Sequence, residues 1–564
     1  MGSAMNTARA NKVLLLASSL ITLALLVVAA YRENVAKEWR QIQRDYRAQL
    51  PPQQAEAFEI QLRQVYNPPL HATDRCISCH VGMAPGETGI KSRSIFTTHP
   101  DVGHDPLQYG CVVCHGGQGR ATEKADAHGT APHWPEPMLP KQYAYAGCGS
   151  CHTHLAVPNL AEVARGGALI ERYDCLACHA LDKRGGTLRP GGAEGVTAPD
   201  LSRIGGAGVG SEWYLDHFAK HREASAGPWR ASFGEMPAPD RGAITAFLQS
   251  RVGAPGLVEA KATFHSLGCR GCHKIGGVGG DDGPDLSREG EKDPARLDYS
   301  HVAGEHTFAN WLKEHFNNPA QIVANSGMPL LGLRETQVEQ LVLYLLSLRR
   351  SDYPEAYWPR DRIRAERFAE REFATDGATL FGTFCAACHG PRGEGMRYPG
   401  AAAFPAIGNA DFLAIASDRF LHATIQHGRP GRRMPAWGEK DGGLRPAEVD
   451  AVVAYIRLLG GVPSPAETEP RRWVNGSVED GKRLFAANCA TCHGADGEGK
   501  EGPQLHNQSL LQAATDRYLV ETVKRGRHGT AMPTFAAAAT THRLLSDTEI
   551  ETTVSFIRSW EVSS

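Results

Sequence analysis

The sequence predicts a mostly α-helical protein with an N-terminal transmembrane helix, a compact cysteine-rich section and four small all-α domains in tandem. Three observations support this prediction. A charge-free run of 18 residues lies near the N-terminus, all 14 cysteines fall in seven copies of one five-residue motif, and four C-terminal segments share one order of helix, motif, loop and helix.

Length and composition are those of an ordinary folded protein. The 564 residues are 41% apolar and carry a formal charge of −2, and a chain of this length suggests several domains. It has no basic stretch of the kind that binds nucleic acid. The composition therefore excludes a disordered chain and argues against a nucleic-acid partner.

The first element is the charge-free run 13–30, VLLLASSLITLALLVVAA. Its length reaches the lower limit for a membrane-spanning helix and exceeds the core of a usual signal peptide. We predict an uncleaved anchor at 13–30 that follows a cytoplasmic tail at 1–12 and holds the protein to membrane lipid. The alternative is a cleaved signal, because Val28-Ala29-Ala30 is an acceptable cleavage site. Both interpretations export the rest of the chain.

Residues 31–66 are highly charged, contain no glycine and are interrupted at Pro51-Pro52. They predict a stalk of two helices. The apolar residues of its first part recur at helical spacing, which leaves two interpretations: a solvated helix face or a stripe that docks on a membrane partner. The stripe consists of Val35, Trp39, Ile42 and Tyr46.

The five-residue motif is C-x-x-C-H, which is typical of covalent haem c attachment. Its two thiols form thioethers with the haem, and the adjacent histidine binds the iron from one side. Zinc knuckles, disulfides and thioredoxin-like pairs also use C-x-x-C but do not require the histidine. With 24 histidines in 564 residues, a histidine after all seven motifs has chance odds on the order of 10⁻¹⁰, so the haem interpretation is favoured.

Seven covalently bound haem c groups are therefore predicted. The thioether-forming residues are Cys76, Cys79, Cys111, Cys114, Cys148, Cys151, Cys175, Cys178, Cys269, Cys272, Cys385, Cys388, Cys489 and Cys492. The proximal iron ligands are His80, His115, His152, His179, His273, His389 and His493.

Haem attachment also bears on location. Bacterial c-type haems are attached outside the cytoplasm, which predicts a protein of the inner membrane with its haem domains in the periplasm. More basic residues follow the anchor than precede it, and this count favours the opposite orientation. We give the motif more weight, because large exported domains follow their signal largely regardless of charge.

The motifs are spaced unequally. The first three occupy only 77 residues, Cys76 to His152, too few for each haem to have its own core. They predict one compact trihaem domain at 67–160. The other four begin 94, 116 and 104 residues apart, which predicts one small domain each, arranged as separate beads. These four repeats are predicted at 161–252, 253–350, 373–461 and 476–564, with linkers at 351–372 and 462–475.

The four repeats follow one internal order, which is the mark of duplication. A helix leads into the motif, a loop with a proline follows, then a Met-Pro pair, then a last amphipathic helix. The loop prolines are Pro199, Pro284, Pro405 and Pro503, and the Met-Pro methionines are Met236, Met328, Met434 and Met532.

The last helices carry recognisable end signals. Ser546-x-x-Glu549 and Thr336-x-x-Glu339 are expected to be capping boxes. Pro446 fits a first helical position, and Gly460-Gly461 is expected to end that helix.

With this order of elements, residues 161–560 resemble the monohaem class I cytochrome c family four times over. In that family the loop proline carbonyl accepts a hydrogen bond from the proximal histidine, and the methionine sulfur is the distal iron ligand. The resemblance implies these roles for the four prolines and the four methionines named above. Methionine is most often a core gap-filler, but one Met-Pro in each repeat favours the ligand role.

The first three haems have no Met-Pro pair. The histidines and methionines available to them are His71, Met83, His99, His104, His128, His133, Met138 and His154. We predict bis-histidine ligation by His99, His104 and His128, which lie in loops around the second motif; the alternative for each is a surface histidine.

The N-terminal section is similar to small multihaem cytochromes, and Met83 shortly after the first motif is similar to a ligand of NapC/NrfH-like quinol dehydrogenases. The whole order of anchor, stalk, clustered haems and cytochrome c domains resembles the multihaem c subunits that accompany quinol-oxidising cytochrome b complexes. The resemblance implies cytochrome b-type membrane subunits as partners, and a soluble cytochrome or terminal oxidase as acceptor.

The sequence thus predicts a membrane-anchored heptahaem cytochrome that relays electrons, without a catalytic site of its own. Methionine raises a haem potential relative to a second histidine, so electrons are expected to enter near the anchor and leave from the C-terminal repeats. The alternative is a multihaem reductase or peroxidase, which requires an open iron site in the trihaem section.

Overall fold

The computed structural model describes residues 2–100, 102–131, 134–154, 160–186, 198–223, 236–349, 352–399, 403–528 and 530–562. Over these residues the protein is mostly helical, with two small two-stranded sheets. The predicted mostly-α fold class is confirmed. The chain divides into two compact units, the first built mainly from residues 1–152 and the second mainly from residues 153–290, 298–349 and 359–564.

The first unit contains six α-helices and one antiparallel strand pair. The helices are α1 (Gly2–Asn34), α2 (Glu38–Arg47), α3 (Pro52–Ala57), α4 (Pro106–Tyr109), α5 (Cys111–His115) and α6 (Lys124–Ala127), and the strands are β1 (Val65–Asn67) and β2 (Ala72–Asp74). Residues 291–297 and 350–358 also belong to this unit.

Helix α1 includes the predicted anchor. Within its segment Arg9–Asn34 an 18-residue window has a mean hydropathy of 2.7, and none of that window is buried within the protein. By length and composition it is the one helix among the described residues that could cross a membrane.

The predicted stalk differs from the structure. Trp39, Ile42 and Tyr46 are buried, and the Tyr46 ring lies 5.3 Å from the rings of both Phe58 and Phe96. The stripe on α2 is therefore part of the first unit's own core rather than a docking face for a membrane partner. Only Val35 of the stripe is exposed.

The second predicted stalk helix is also wrong over most of its length. Proline at the first helical position starts α3, but that helix ends at Ala57, and Val65–Asn67 pairs as a strand with Ala72–Asp74. The β-branched and aromatic residues Val65 and Tyr66 suit this strand better than a helix.

The second unit contains the four repeats. Its helices are α7 (Leu160–Arg172), α8 (Ser211–Glu223), α9 (Ala238–Ser250), α10 (Pro255–Ser266), α11 (Phe308–Asn317), α12 (Pro319–Ile322), α13 (Glu335–Ser347), α14 (Arg360–Phe368), α15 (Gly377–Phe384), α16 (Ala386–His389), α17 (Ala410–Leu413), α18 (Asp418–His427), α19 (Pro446–Gly460), α20 (Val478–Asn488), α21 (Ala490–His493), α22 (Gln508–Ala513), α23 (Asp516–Arg525) and α24 (Asp547–Arg558). A short strand pair, β3 (Ala180–Leu181) and β4 (Arg184–Gly185), follows the first motif of this unit.

In each repeat the helix before the motif packs against the last helix: α7 against α9, α10 against α13, α15 against α19 and α20 against α24. Glycine allows the close crossing in three of these pairs. A Cβ at Gly166 would lie 2.1 Å from the carbonyl oxygen of Ala243. A Cβ at Gly377 would lie 2.2 Å from the carbonyl oxygen of Ala451, and one at Gly481 would lie 2.2 Å from that of Thr552. The helix pair is the framework that holds each motif.

Helix ends follow the sequence signals with one exception. Ser546 and Glu549 form the predicted capping box, and α19 begins at Pro446 and is capped by Gly461. The expected box at Thr336 and Glu339 is wrong. Helix α13 begins two residues earlier, because the Gln337 side chain accepts a hydrogen bond from the backbone N–H of Arg334.

The repeats are not separate beads. The third and fourth repeats share one apolar core, in which the rings of Phe420 and Tyr518 stack with centroids 4.4 Å apart. The second and third repeats are joined by polar contacts. The backbone N–H of Gly279 donates to the carbonyl of Gly442 at 3.1 Å, and Arg433 pairs with Asp282 at 2.6 Å.

Candidate haem-attachment sites

Each C-x-x-C-H motif forms one helical turn. In the first motif the backbone N–H of His80 donates to the carbonyl of Cys76 at 2.8 Å, and in the seventh the N–H of His493 donates to Cys489 at 3.0 Å. All 14 cysteines are half-buried thiols. Among the described residues no group of three or more His, Cys, Asp or Glu side chains converges on a metal-sized site.

In the four repeats the proximal histidine is oriented by the loop proline. The Nδ1 atoms of His179, His273, His389 and His493 lie 2.8, 2.9, 2.9 and 2.8 Å from the carbonyl oxygens of Pro199, Pro284, Pro405 and Pro503. A carbonyl accepts only from a protonated Nδ1, which leaves the lone pair on Nε2 for a metal.

A glycine before the proline permits this close packing in two repeats. A Cβ at Gly283 would lie 2.5 Å from the His273 ring, and one at Gly502 would lie 2.8 Å from the His493 ring. The imidazole therefore packs directly against the loop backbone, and this close packing holds the ring in one orientation, as a metal ligand requires.

In the trihaem section the structure brings each proximal histidine close to one of the three predicted distal histidines. The ring centroids of His80 and His128 are 6.5 Å apart, those of His115 and His99 are 6.1 Å apart, and those of His152 and His104 are 6.2 Å apart. When two imidazoles bind one metal from opposite sides with bonds of about 2 Å each, their ring centroids lie about 6 Å apart. The three pairs fit an iron between their rings.

Burial keeps the proximal histidines of this section neutral. It lowers the pKa of His80 and His115 and lowers the pKa of His152 to about 4. A neutral imidazole is the form that binds a metal.

The other candidates for these irons are placed differently. Met83 packs against the small apolar cluster of Val65, Ile77 and Ala84, which indicates a core role. His71 is exposed and has a left-handed backbone conformation, φ 56°. His133 lies outside the described residues, and His154 belongs to the second unit.

Neighbouring motifs are in contact. A Cβ at Gly110, directly before the second motif, would lie 2.8 Å from the Asp74 carboxylate, two residues before the first motif. A Cβ at Gly147, directly before the third motif, would lie 1.7 Å from the carbonyl oxygen of Cys114. The carboxylate of buried Asp74 accepts a hydrogen bond from the backbone N–H of Val112 at 3.1 Å, which ties β2 to the second motif. The first three motifs therefore lie side by side, as their spacing predicts.

The same kind of contact joins two repeats. A Cβ at Gly271, inside the fifth motif, would lie 3.0 Å from the carbonyl oxygen of Phe384, directly before the sixth motif. The fifth and sixth motifs are therefore neighbours although 116 residues separate their first cysteines. This proximity was not predicted, because nothing in either motif indicates which surface of the repeat faces another.

A buried charge cluster accompanies this contact. Lys261 and Arg270 both pair with Glu372, the lysine at 2.5 Å, and both cations are almost fully buried. Burial alone would raise the pKa of Glu372, but the two cations hold it well below its usual range. Burial lowers the pKa of Lys261, and the Glu372 carboxylate opposes that shift. The glutamate thus links α10 and the fifth motif to the segment before α15.

The methionines of the four repeats differ in burial. Met328, Met434 and Met532 are half-buried, and Met434 and Met532 pack against the apolar core that the third and fourth repeats share. Met236 is only 3% exposed and lies inside the apolar cluster that includes Leu169, Leu201 and Ile244.

One residue near a motif was missed by the sequence reasoning. The ring of His217, on α8, lies 6.3 Å from that of His179 at an interplanar angle of 62°. A sequence signal existed: the pattern W-x-x-x-H-F occurs at Trp213–Phe218 and again at Trp311–Phe316.

Comparison with known proteins agrees with this geometry. A family model described as cytochrome c matches residues 257–349, 374–460 and 478–561. The FixP subunit of a cbb3-type cytochrome c oxidase from Bradyrhizobium sp. is 34% identical over 163 residues, which cover 27% of this chain and 51% of the relative. The CcoP subunit from Rhodobacter capsulatus is 31% identical over 196 residues, 32% of this chain and 61% of the relative.

The alignments span about half to three fifths of these curated relatives. Among solved structures, a chain of the reducing HAO-like complex of Kuenenia stuttgartiensis is 18% identical, with a TM-score of 0.24 over 33% of this chain and 96% of that chain. Thiosulfate dehydrogenase from Marichromatium purpuratum is also 18% identical, with a TM-score of 0.18 over 70% of this chain and 91% of that chain.

The chain therefore carries cytochrome c domains and has the make-up of a multihaem c-type cytochrome. Electron transport with covalently bound haem c is the function class that these matches share.

Proposed function

We propose that the protein is a membrane-anchored periplasmic heptahaem cytochrome. It relays electrons from a quinol-oxidising membrane complex towards a high-potential acceptor, a soluble cytochrome or a terminal oxidase or reductase. Bound haem c supplies one-electron iron chemistry. The chain's own contribution is to attach the haems, to select their axial ligands and to hold neighbouring motifs in contact.

The observation that carries this proposal is the contact between motifs. Gly110 packs against Asp74 between the first and second motifs, and Gly271 packs against Phe384 between the fifth and sixth. Electrons pass between cofactors that lie close together, so motifs that touch support a relay. A protein that used each haem independently would have no need of such contacts.

Axial ligands give the relay a direction. The three histidine pairs of the trihaem section favour lower potentials, and methionine at Met328, Met434 and Met532 favours higher ones. With the trihaem section following the anchor in sequence, electrons would enter there and leave from the repeats. For the first repeat, Met236 and His217 are competing distal ligands.

The partners and location follow from the relatives and from α1. FixP and CcoP are subunits of cbb3-type oxidases, which supports partners in a membrane respiratory complex. We propose cytochrome b-type quinol-oxidising subunits as the donor side. Segment Arg9–Asn34 would serve as the inner-membrane anchor, with the haem domains in the periplasm.

The rival function, a multihaem reductase or peroxidase, needs an iron with an open position. In the pairs His80–His128, His115–His99 and His152–His104 the second imidazole lies 6.1 to 6.5 Å from the proximal one, which supports a closed iron at each site. This arrangement supports the relay.

Two measurements test the proposal. Intact mass of the mature protein should show seven haem additions, and carbon monoxide or cyanide should leave the spectrum of the reduced protein unchanged. Ligand binding to one haem would instead support the enzyme, and fewer than seven additions would contradict the haem count.

The quinol route is tested in native membranes by rapid mixing with a reduced quinol analogue. The wild-type haems should be reduced within the time of one catalytic turnover. A Cys489→Ala/Cys492→Ala variant should show the same initial rate of haem reduction, and a Cys76→Ala/Cys79→Ala variant a much lower one. Equal effects of the two variants would contradict entry at the trihaem section.

A further inference from the structure

The first repeat departs from the other three around its predicted distal ligand. Its methionine, Met236, is the one of the four that is almost fully buried, at 3% exposed. The sulfur-bearing side chain contributes to a cluster of leucine, isoleucine and tyrosine side chains between α7, α8 and α9. That is the ordinary use of methionine as a core residue.

A histidine occupies the place opposite the motif instead. The centroid separation of His179 and His217, 6.3 Å, falls within the range of 6.1 to 6.5 Å shown by the three histidine pairs of the trihaem section. The hydrogen bond from Nδ1 of His179 to Pro199 at 2.8 Å directs Nε2 away from the loop.

His217 is held in place by its own helix. Its ring stacks on Trp213 with centroids 5.3 Å apart and planes 9° apart. The two residues are four positions apart on α8, which places them on the same face one turn from each other. A ring supported in this way loses little further freedom when it binds a metal.

The comparison with cytochrome c points the same way. The family model matches the second, third and fourth repeats, and the first repeat lies outside the matched residues. The first repeat thus both departs from the family pattern and has its Met-Pro methionine in the core.

We infer that the haem attached at Cys175 and Cys178 is ligated by His179 and His217, and that Met236 is a core residue of the first repeat. This inference rests on the haem attachment proposed above. It changes the ligand count to four His/His and three His/Met irons. It also assigns the first repeat to the low-potential group, so the step from low to high potential falls between the first and second repeats.

The test uses the full-length holoprotein and near-infrared magnetic circular dichroism, in which ferric His/His and His/Met haems give separate bands. For the wild type the Met–iron band should represent three of the seven haems. Met236→Leu should leave both bands unchanged. A fall of one quarter in the Met–iron band of that variant would overturn the inference.

His217→Ala should remove one quarter of the His/His band and lower the number of bis-histidine irons from four to three. The matched control is His315→Ala: His315 holds the same position in the W-x-x-x-H-F pattern of the second repeat and stacks on Trp311 at 5.1 Å, and its loss should change neither band. An unchanged His/His band in His217→Ala would also overturn the inference.

Intact mass of the same preparations reports haem attachment separately. If a variant keeps seven haem additions and its band pattern changes, the change is in an axial ligand. Six additions in the wild type would contradict the haem attachment on which the proposed function rests. If His217→Ala fails to fold, Met236→Leu still decides the question.

Discussion

The trihaem section and the fourth repeat hold the same five-residue motif in two different ways. In the fourth repeat the motif is seated between α20 and α24, whose crossing at Gly481 and Thr552 builds an apolar core from helix side chains. In the trihaem section the α-helices around the second motif have only four or five residues, and its candidate ligands come from loops. The difference teaches that a helix pair can supply the apolar core of a haem site, whereas short segments require the cofactors themselves as core.

The largest expected effect is that the loss of one haem disturbs more of the protein in the trihaem section than in the fourth repeat. Cys111→Ala/Cys114→Ala should remove the second haem and disturb both neighbours, because Gly110 lies against Asp74 beside the first motif and Cys114 lies against Gly147 beside the third. Cys489→Ala/Cys492→Ala should remove one haem and leave the other six. Haem stoichiometry and limited proteolysis measure the outcome. Loss of a single haem with the same proteolysis pattern in both variants would contradict the comparison.

A second expected effect differs between the third and fourth repeats, which share one core. In the fourth repeat Asp516 pairs with Arg558 at 2.6 Å, and both are buried. In the third repeat the corresponding pair is Asp418 and Arg457 at 2.7 Å, where the aspartate side chain is 52% exposed. In both repeats the arginine also binds carbonyls near the end of a preceding short helix.

Asp516→Ala should thus cost about 3 kcal/mol, the low end of the range for breaking a buried pair, because Glu561 still pairs with Arg558 at 2.9 Å. Asp418→Ala should cost under about 1 kcal/mol, the usual value of an exposed pair. Hydrogen exchange of the amides in α24 and α19 measures each effect locally, which suits a multidomain chain. Equal loss of protection in the two helices would mean that burial does not distinguish the pairs.

A third prediction concerns potentials. Met434→His should lower the potential of the haem at Cys385, since imidazole favours ferric iron more than a thioether does, by a fraction of the roughly 0.8 V that axial ligands span. Spectroelectrochemistry should show one haem leaving the high-potential group, and transfer to the acceptor should slow. The same substitution at Met236 is the control, because a core methionine there would leave the potentials in place. If all seven haems of the wild type titrate together, the contrast between the two regions fails.

The smallest expected effect lies at the start of α24. The hydrogen bond from Arg543 and that from the backbone N–H of Ser546 lower the pKa of Glu549 to about 2. A depressed acid pKa contributes stability that is present above the unfolded value of 4.5 and is lost as the pH falls towards 2. Helix α13 has neutral Gln337 at the same position, so its start should not respond to pH over this interval.

Ser546→Ala should cost about 1 kcal/mol, the usual value of an N-cap. The measurement is amide exchange at the first turn of α24 between pH 5 and pH 2, with α13 as the internal control. A pH response of equal size in the two helices would assign the effect to something other than Glu549.

Local order was predictable from the sequence, and partners across the fold were not. The helical turn of each motif, the proline that orients His389 and the N-cap at Ser546 depend on residues close in the chain. His99, His104 and His128 were predicted as ligands from their place in Gly- and Pro-rich loops, but the sequence does not reveal which motif each one faces. That depends on how the loops cross.

The failures have the same physical origin. The apolar stripe of α2 predicted a buried face but not what covers it, and Phe58 and Phe96 proved to be its partners. The start of α13 was misplaced because a glutamine two residues earlier than the expected glutamate reaches back to the chain. His217 was passed over because the Met-Pro pair offered a more familiar ligand, and only burial in three dimensions separates Met236 from the other three.

The pairing of histidines in the trihaem section has a consequence for how such a chain can change over time. His128 follows the second motif and faces His80 of the first, while His104 precedes the second motif and faces His152 of the third. Every cut between the first and third motifs would therefore separate at least one pair. Each repeat keeps its proximal histidine and the proline that orients it within one segment, whereas the trihaem section cannot be divided without separating a pair of histidines.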